Sequence, residues 1–183
     1  MENSLVISKQ RVKDFGEVFT PQKIVKDMCD LVHEKCCDIS AKFLEPTCGI
    51  GNFLIEILQR KLTEIIAEDT GHYDKHINFY LALASLYGID IQADNIVVCR
   101  SRLKEIFTTY AKGCKDIIII PNLINIILGS NIRQGNALTD NFVFLNLSHD
   151  WKNERFILNY FNVNLAKQQS QVFLTVTEKD GFY

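Results

Sequence analysis

A chain of 183 residues, 47% hydrophobic and 23% charged, has the size and balance of one globular domain able to bury a sizeable core. Its net charge of −2 offers no general attraction to nucleic acid, and no apolar run reaches the length of a membrane span. Residues 1–19 are polar and charged, unlike a secretory leader, so the cytoplasm is the expected compartment.

In chain order, residues 1–15 read as a mobile arm and residues 16–183 as one domain. A helix is expected over 21–37, with Ile24, Val25, Met28, Leu31 and Val32 forming an apolar face. A first strand over 42–45 leads into a glycine turn and then a helix carrying Phe53, Leu54, Ile57, Leu58 and Leu62. Residues 67–75 form a polar connection, and 77–86 a helix before a short second strand that ends at Asp90. Val97, Val98, Leu103, Ile106 and Phe107 support a long helix over 92–112. On it, Arg100, Arg102 and Lys104 are explained most simply as a solvated face. Residues 117–120 are β-branched enough for a strand, whereas Pro121 and the apolar spacing over 123–127 suit a helix, and both readings stay open. A third strand is expected over 131–135, a fourth over 156–161, and a later strand or β-turn arm over 172–176.

The chemistry concentrates in Phe43-Leu-Glu-Pro-Thr-Cys-Gly-Ile-Gly-Asn-Phe-Leu54, where an apolar strand meets a glycine turn and a helix. Gly49 and Gly51 can take positive φ and let the backbone approach a ligand, with helix N–H groups facing it. Glu45 stands at the strand's carboxyl end, where open α/β sheets place ligands, and an acid there favours an amine-bearing ligand over a diphosphate. The third glycine of the dinucleotide fingerprint would fall at Leu54, so that fingerprint is incomplete.

Three further elements accompany this turn in order: Phe15-Gly-Glu-Val-Phe-Thr-Pro21 before it, then Leu86-Tyr-Gly-Ile-Asp-Ile91 and Gly135-Asn-Ala-Leu138 after it. The set resembles the adenine-specific (N6) DNA methyltransferases of restriction–modification systems, over roughly residues 15–140. The resemblance implies a Rossmann-like, three-layer α/β/α fold in shortened form, with S-adenosyl-L-methionine as cofactor. It further implies that Phe19, Thr20 and Pro21 lie over the methionine end, with Thr20 reaching the carboxylate and Glu45 the ammonium. Gly49 and Gly51 would let the turn pass under the methionine and ribose, among Pro46, Thr47, Asn52 and Phe53. Asp90 would accept from the ribose hydroxyls, and Ile91 would pack on the adenine. Asn136, beside Ala137, stands where the family usually has Asp, and its amide oxygen can still accept from the adenine amino group. Each residue also has a plain structural reading. Thr20 and Pro21 suit an N-cap and the first helical position, Asp90 a helix N-terminal charge, and Asn136 a left-handed turn.

The family's catalytic Asn/Asp/Ser-Pro-Pro-Tyr/Phe element has no counterpart, for no two prolines are adjacent. Such an element holds the amine of a flipped adenine while an aromatic ring stacks on the base. The nearest candidate is Phe156-Ile-Leu-Asn-Tyr-Phe161, with Asn159 as acceptor and Tyr160 or Phe161 as stacking ring; its plain reading is a buried strand. The family's sheet has seven strands, whereas this length allows four or five, so either the fold is abbreviated or a separate chain completes it. No target-recognition domain follows, so sequence-specific action on double-stranded DNA implies a specificity or other partner subunit. Three classes compete: an adenine-N6 DNA methyltransferase acting alone or with partner chains, a non-catalytic cofactor-binding subunit or decayed fragment, and another Rossmann-like enzyme. The Gly16–Pro21 element before the first strand argues against the last.

Cys29, Cys36, Cys37, Cys48, Cys99 and Cys114 contain no Cys-x-x-Cys pair and read as reduced thiols. His33, His72, His76 and His149 are scattered, and the helically spaced His72 and His76 lack a third ligand, so no metal is expected.

Overall fold

The computed structural model of the protein describes residues 8–68, 71–165, 167 and 169–177. The chain begins with α1 (Lys9–Phe15), part of the segment expected to be a mobile arm. Ser8 caps it by accepting from Arg11 N, and Gly16, at φ 65°, ends it in the left-handed conformation. Residues 1–7 of that arm lie outside the described residues.

The single helix expected over 21–37 is two helices, α2 (Gln22–Asp30) and α3 (His33–Cys37), parted where Val32 leaves helical geometry. The break changes which side chains are inside. Val25, Cys29 and Cys36 are buried, whereas Ile24, Met28, Val32 and above all Leu31, at 85% exposure, are not. Of the residues picked as an apolar face, Val25 is inside and the other four form an outward apolar rim.

Next come β1 (Phe43–Glu45), α4 (Asn52–Ala67), α5 (His72–Ala84), β2 (Leu86–Asp90), α6 (Ala93–Gly113), α7 (Pro121–Asn131) and β3 (Ile132–Gln134). The three strands form a parallel sheet in the order β1-β2-β3, pairing Phe43 with Leu86 and Gly88 with Ile132. Parallel neighbours require crossovers, and the long helices α4 and α6 lie within those connections. Gly88 lets the layers close: a Cβ there would lie 2.9 Å from Leu54 Cδ1 and 3.0 Å from Cys48 Sγ. Residues 117–120, left open between strand and helix, are neither. Their backbone is held by the Tyr80 hydroxyl, which donates to Ile118 O and accepts from Ile120 N, both at 2.8 Å. Pro121 then occupies a first-turn position of α7, where its missing N–H costs nothing.

The remaining strands, β4 (Asn141–Asp150), β5 (Arg155–Asn164) and β6 (Gln169–Thr177), form a separate antiparallel sheet. Tyr87 and Ile89 of β2 pack with Phe142 and Phe144 of β4 and with Phe161. The Tyr87 ring lies edge-on to Phe144 and Phe161, with centroids 5.2 and 6.1 Å away. Leu145, Leu147, Phe156 and Leu158 join the main core with α5 and α7. The expected three-layer α/β/α arrangement is thus corrected: the fold is α/β with a parallel sheet, but antiparallel strands supply part of its cover. β4 was hidden in the sequence because apolar residues point to both faces, so no clean alternation marks it.

Under the sheet, Lys61 is wholly buried, and its ammonium donates to Ala41 O at 2.5 Å and to Ser85 Oγ at 2.7 Å. Burial pulls its pKa down to about 8. Above pH 8 the unfolded chain keeps a proton there that the folded chain has released, so this group's contribution to stability rises with pH until about 10.4, where the free side chain also deprotonates. Buried thiols oppose it: desolvation raises Cys29 to about 12, so the folded chain holds protons that the unfolded chain loses. We therefore predict that the stability difference between wild type and Lys61→Met shifts toward wild type by roughly 3 kcal/mol between pH 7 and pH 10.5. Denaturant unfolding at several pH values checks this, and a pH-independent difference would exclude a depressed Lys61.

Candidate functional site

Everything at the carboxyl end of the parallel sheet converges on the turn between β1 and α4. Cys48 N donates to Ile89 O at 2.7 Å and Gly51 N to Cys48 O at 2.8 Å, fixing the turn against β2. Gly49 and Gly51 take φ of 51° and 84°, as the sequence required. The Gly49 N–H donates to Asp90 Oδ2 at 2.9 Å, while Asp90 Oδ1 accepts from Gln92 N at 2.8 Å and Asn95 Nδ2 at 3.1 Å. Three donors thus orient a carboxylate that retains acceptor capacity for a ligand.

Residues 16–21 pass over this turn as a strap. The Phe19 ring lies on Gly49 so closely that a Cβ there would sit 3.1 Å from it. Asn52 Nδ2 donates to Thr20 O at 3.0 Å, and Arg102 donates to Ile50 O at 2.7 Å and Asn52 Oδ1 at 2.8 Å. Arg100 donates to Ile132 O and Gly129 O at the end of α7. These two arginines therefore clamp backbone inside the fold, which corrects the solvated-face reading; burial lowers the pKa of both. Lys104 remains at the surface, bonded to Asn125.

Two adjoining cavities result. The larger, about 530 Å³, is lined by Glu17, Phe19, Pro46, Thr47, Gly49, Asp90, Ile91, Gln92, Asn136, Ala137 and Leu138, among others. The smaller, about 210 Å³, shares Val18, Phe19, Thr47 and Gly49 with it and adds Thr20, Glu45, Asn52 and Phe53. The two share Phe19 and Gly49 as a common wall, and each has an acid in its lining, Asp90 in the larger and Glu45 in the smaller. Most of the residues picked from the sequence meet here. Pro21 and Gly51 do not line either cavity. Pro21 precedes the first residue of α2 instead of being that residue, so Thr20 is not its N-cap, and Gly51 is the buried N-cap of α4. The amide oxygen of Asn136 accepts from Leu138 N at 2.9 Å, a turn contact, but its backbone is not in the left-handed conformation that its plain reading expected.

Asn159 and Tyr160 lie elsewhere. They sit in the middle of β5, opposite Asn146 and Leu145, and Tyr160 packs on the main core. The strand expected to end at these residues runs on to Asn164 and is antiparallel, so they occupy no turn at a parallel strand's end. Glu17 and Gln92 were missed, although Glu17 lies inside the quoted Phe15–Pro21 element. Asn95 and Arg102, which brace the site, carried no signal beyond their place on a helix. Among the described residues, no three His, Cys, Asp or Glu side chains are grouped to hold a metal, and no helix is long and apolar enough to cross a membrane.

A glycine turn over a parallel sheet, acids at two strand ends and an aromatic strap thus meet at the carboxyl edge of an α/β protein, where such sheets place ligands. Residues 6–105 match the family model described as N-6 DNA Methylase, and the chain belongs to that family. Over 91 residues, half of the chain, it is 31% identical to the Type II methyltransferase M.VspI of Vibrio sp. (strain 343). The matched stretch is 17% of that relative's length. No solved structure matches the chain.

Proposed function

We propose that this chain binds S-adenosyl-L-methionine across the two adjoining cavities and supplies the cofactor-binding part of an adenine-N6 DNA methyltransferase of a restriction–modification system. The observation that carries this reading is the pairing of Asp90 and Glu45 in two adjoining cavities that share Phe19 and Gly49 as a wall. The larger cavity, at about 530 Å³, falls in the range of small-ligand sites, roughly 300–1,000 Å³. On this reading the fold is a shortened Rossmann-like domain over 16–183, working in the cytoplasm. Asp90 accepts from the ribose hydroxyls, Ile91 covers one face of the adenine, and Glu45 meets the ammonium of the methionine end. The Thr20 hydroxyl faces the carboxylate, and Phe19 shields the reacting end from water. The bound cofactor brings an electrophilic methyl group on a sulfonium, and positioning the attacking amine in line with it accounts for most of the catalysis.

Double-stranded DNA with an adenine target is the proposed substrate, and a partner or specificity subunit the proposed companion. Support for a companion comes from β1, which has one strand neighbour, β2, among the described residues. Phe43 N donates to Ser85 O, so the alternation of a parallel ladder turns the N–H and C=O of Leu44 to the open side. Beside that edge lies an apolar groove of about 320 Å³, lined by Met28, Leu31, Val32, Leu44, Phe53 and neighbours. A second reading, a cofactor-binding subunit without catalysis of its own, is favoured by the missing Pro-Pro element and by the mid-strand position of Asn159 and Tyr160.

Calorimetric titration with S-adenosyl-L-methionine tests the shared core of both readings, and we expect saturable one-to-one binding. Transfer of a labelled methyl group to duplex DNA, with adenine-free duplex as control, then separates them. Label on adenine N6 supports the enzyme, binding without transfer supports the subunit, and a folded chain that does not bind overturns both.

A further inference from the structure

Asp90 is held by a side-chain relay that begins outside the cavity. Arg11, on α1, donates to Asp94 Oδ2 at 2.5 Å and to Glu17 Oε1 at 2.6 Å. Glu17 Oε1 also accepts from Asn95 Nδ2 at 2.6 Å, and the same Asn95 amide donates to Asp90 Oδ1 at 3.1 Å. Asn95 is 1% exposed, and the Glu17 side chain is largely covered. Two carboxylates that would repel each other are thus joined through the two hydrogens of one buried amide, and the guanidinium of Arg11 balances the outer one.

Resting on the cofactor reading above, we propose that Asn95 and Glu17 are positioning residues for the ribose-binding carboxylate of Asp90, with Arg11 as the latch of the relay. Asn95 fixes which way Asp90 Oδ1 points. Glu17 fixes the Asn95 amide with its second hydrogen, so the amide cannot rotate its oxygen toward Asp90. Arg11 anchors Glu17 from α1 and so ties the strap's entry to the ribose end of the site. The Arg102–Asn52–Thr20 chain does the equivalent at the other end. A ligand's ribose hydroxyls then meet an acceptor already in place, which reduces the ordering cost of binding.

The relay makes a claim that general destabilisation would not reproduce: it concerns recognition of the ribose hydroxyls alone. The experiment compares adenosine with 2′,3′-dideoxyadenosine as probes by calorimetry, for wild type, Asn95→Ala, Glu17→Ala, Asp90→Ala and the double variant Asn95→Ala/Asp90→Ala. Wild type is expected to prefer adenosine by about 100-fold or more, the size of two hydrogen bonds to a charged group. Asn95→Ala should bring the ratio close to one while leaving dideoxyadenosine affinity unchanged, and adding it to Asp90→Ala should change nothing further. Glu17→Ala, in a strap residue outside the core, should move the ratio the same way and keeps the test alive if Asn95→Ala does not fold. An unchanged ratio in the folded single variants, or additive losses in the double variant, would overturn the relay alone. Wild type that binds neither probe nor the full cofactor would overturn the cofactor reading and the relay with it.

Discussion

Replacing Gly51 by alanine should destabilise the protein by roughly 2–4 kcal/mol and abolish cofactor binding, through strain and overpacking together. The backbone at Gly51 has φ 84°, which L side chains rarely adopt, and a Cβ built there would lie 2.5 Å from Cys99 Sγ. Cys99 is fully buried on α6, so its thiol could turn aside only into packed neighbours. Gly16 provides the matching control. It too has positive φ, 65°, but a Cβ there meets nothing within 4 Å, so Gly16→Ala should cost only about 1 kcal/mol. Chemical denaturation of both variants measures the pair, and equal losses would show that packing against Cys99 contributes nothing. Gly51→Ala/Cys99→Ala should recover part of the loss, since it removes the collision and leaves the strain.

Asp90→Ala is the second large effect. It should weaken S-adenosyl-L-methionine by about 100-fold or more, because two charge-assisted hydrogen bonds to the ribose would each contribute about 1.5 kcal/mol or more. Gly49 N, Gln92 N and Asn95 Nδ2 would also lose their shared acceptor. Asp90→Asn should be nearly as damaging despite its shape. Donors face both oxygens of the carboxylate, so either orientation of the amide sets its NH2 against one of them. Calorimetry on both variants, with melting curves to confirm folding, decides the matter. An Asp90→Asn protein that binds like wild type would remove the carboxylate from the ribose contact.

How far the sequence could be read depends on the kind of residue that held each element. The glycine turn was legible because positive φ and close approach leave few alternatives to glycine, and Asp90 because an acid ending an apolar strand has a restricted range of uses. The long helices followed from their periodicity. The break between α2 and α3 was not legible, for it falls within a run, Leu31 to His33, that contains neither glycine nor proline. The inner stripe there uses Val25, Cys29 and Cys36 while larger apolar residues remain outside, so counting hydrophobic residues selected a face of which Val25 alone is buried. The hairpin of β4 and β5 escaped for a different reason. Its strands bury both faces, one against Tyr87 and Ile89 and the other in the main core, which removes the alternation that marks a half-buried strand. Asn159 and Tyr160 were read as the end of a parallel strand because the sequence does not disclose strand direction.

The open side of β1 also bears on what the protein avoids. An uncovered strand is a template for indiscriminate stacking, and proteins blunt such edges by keeping them short and flanking them with lysine or proline. β1 has three residues, is preceded by the exposed Lys42 and is followed by Pro46, which has no N–H to donate. A foreign strand laid along it would find little beyond the single N–H and C=O of Leu44, too little to seed a growing fibril. Any stable occupant must therefore be selected by how its side chains fill the neighbouring apolar groove, so that the brevity of the edge acts as a filter against self-aggregation.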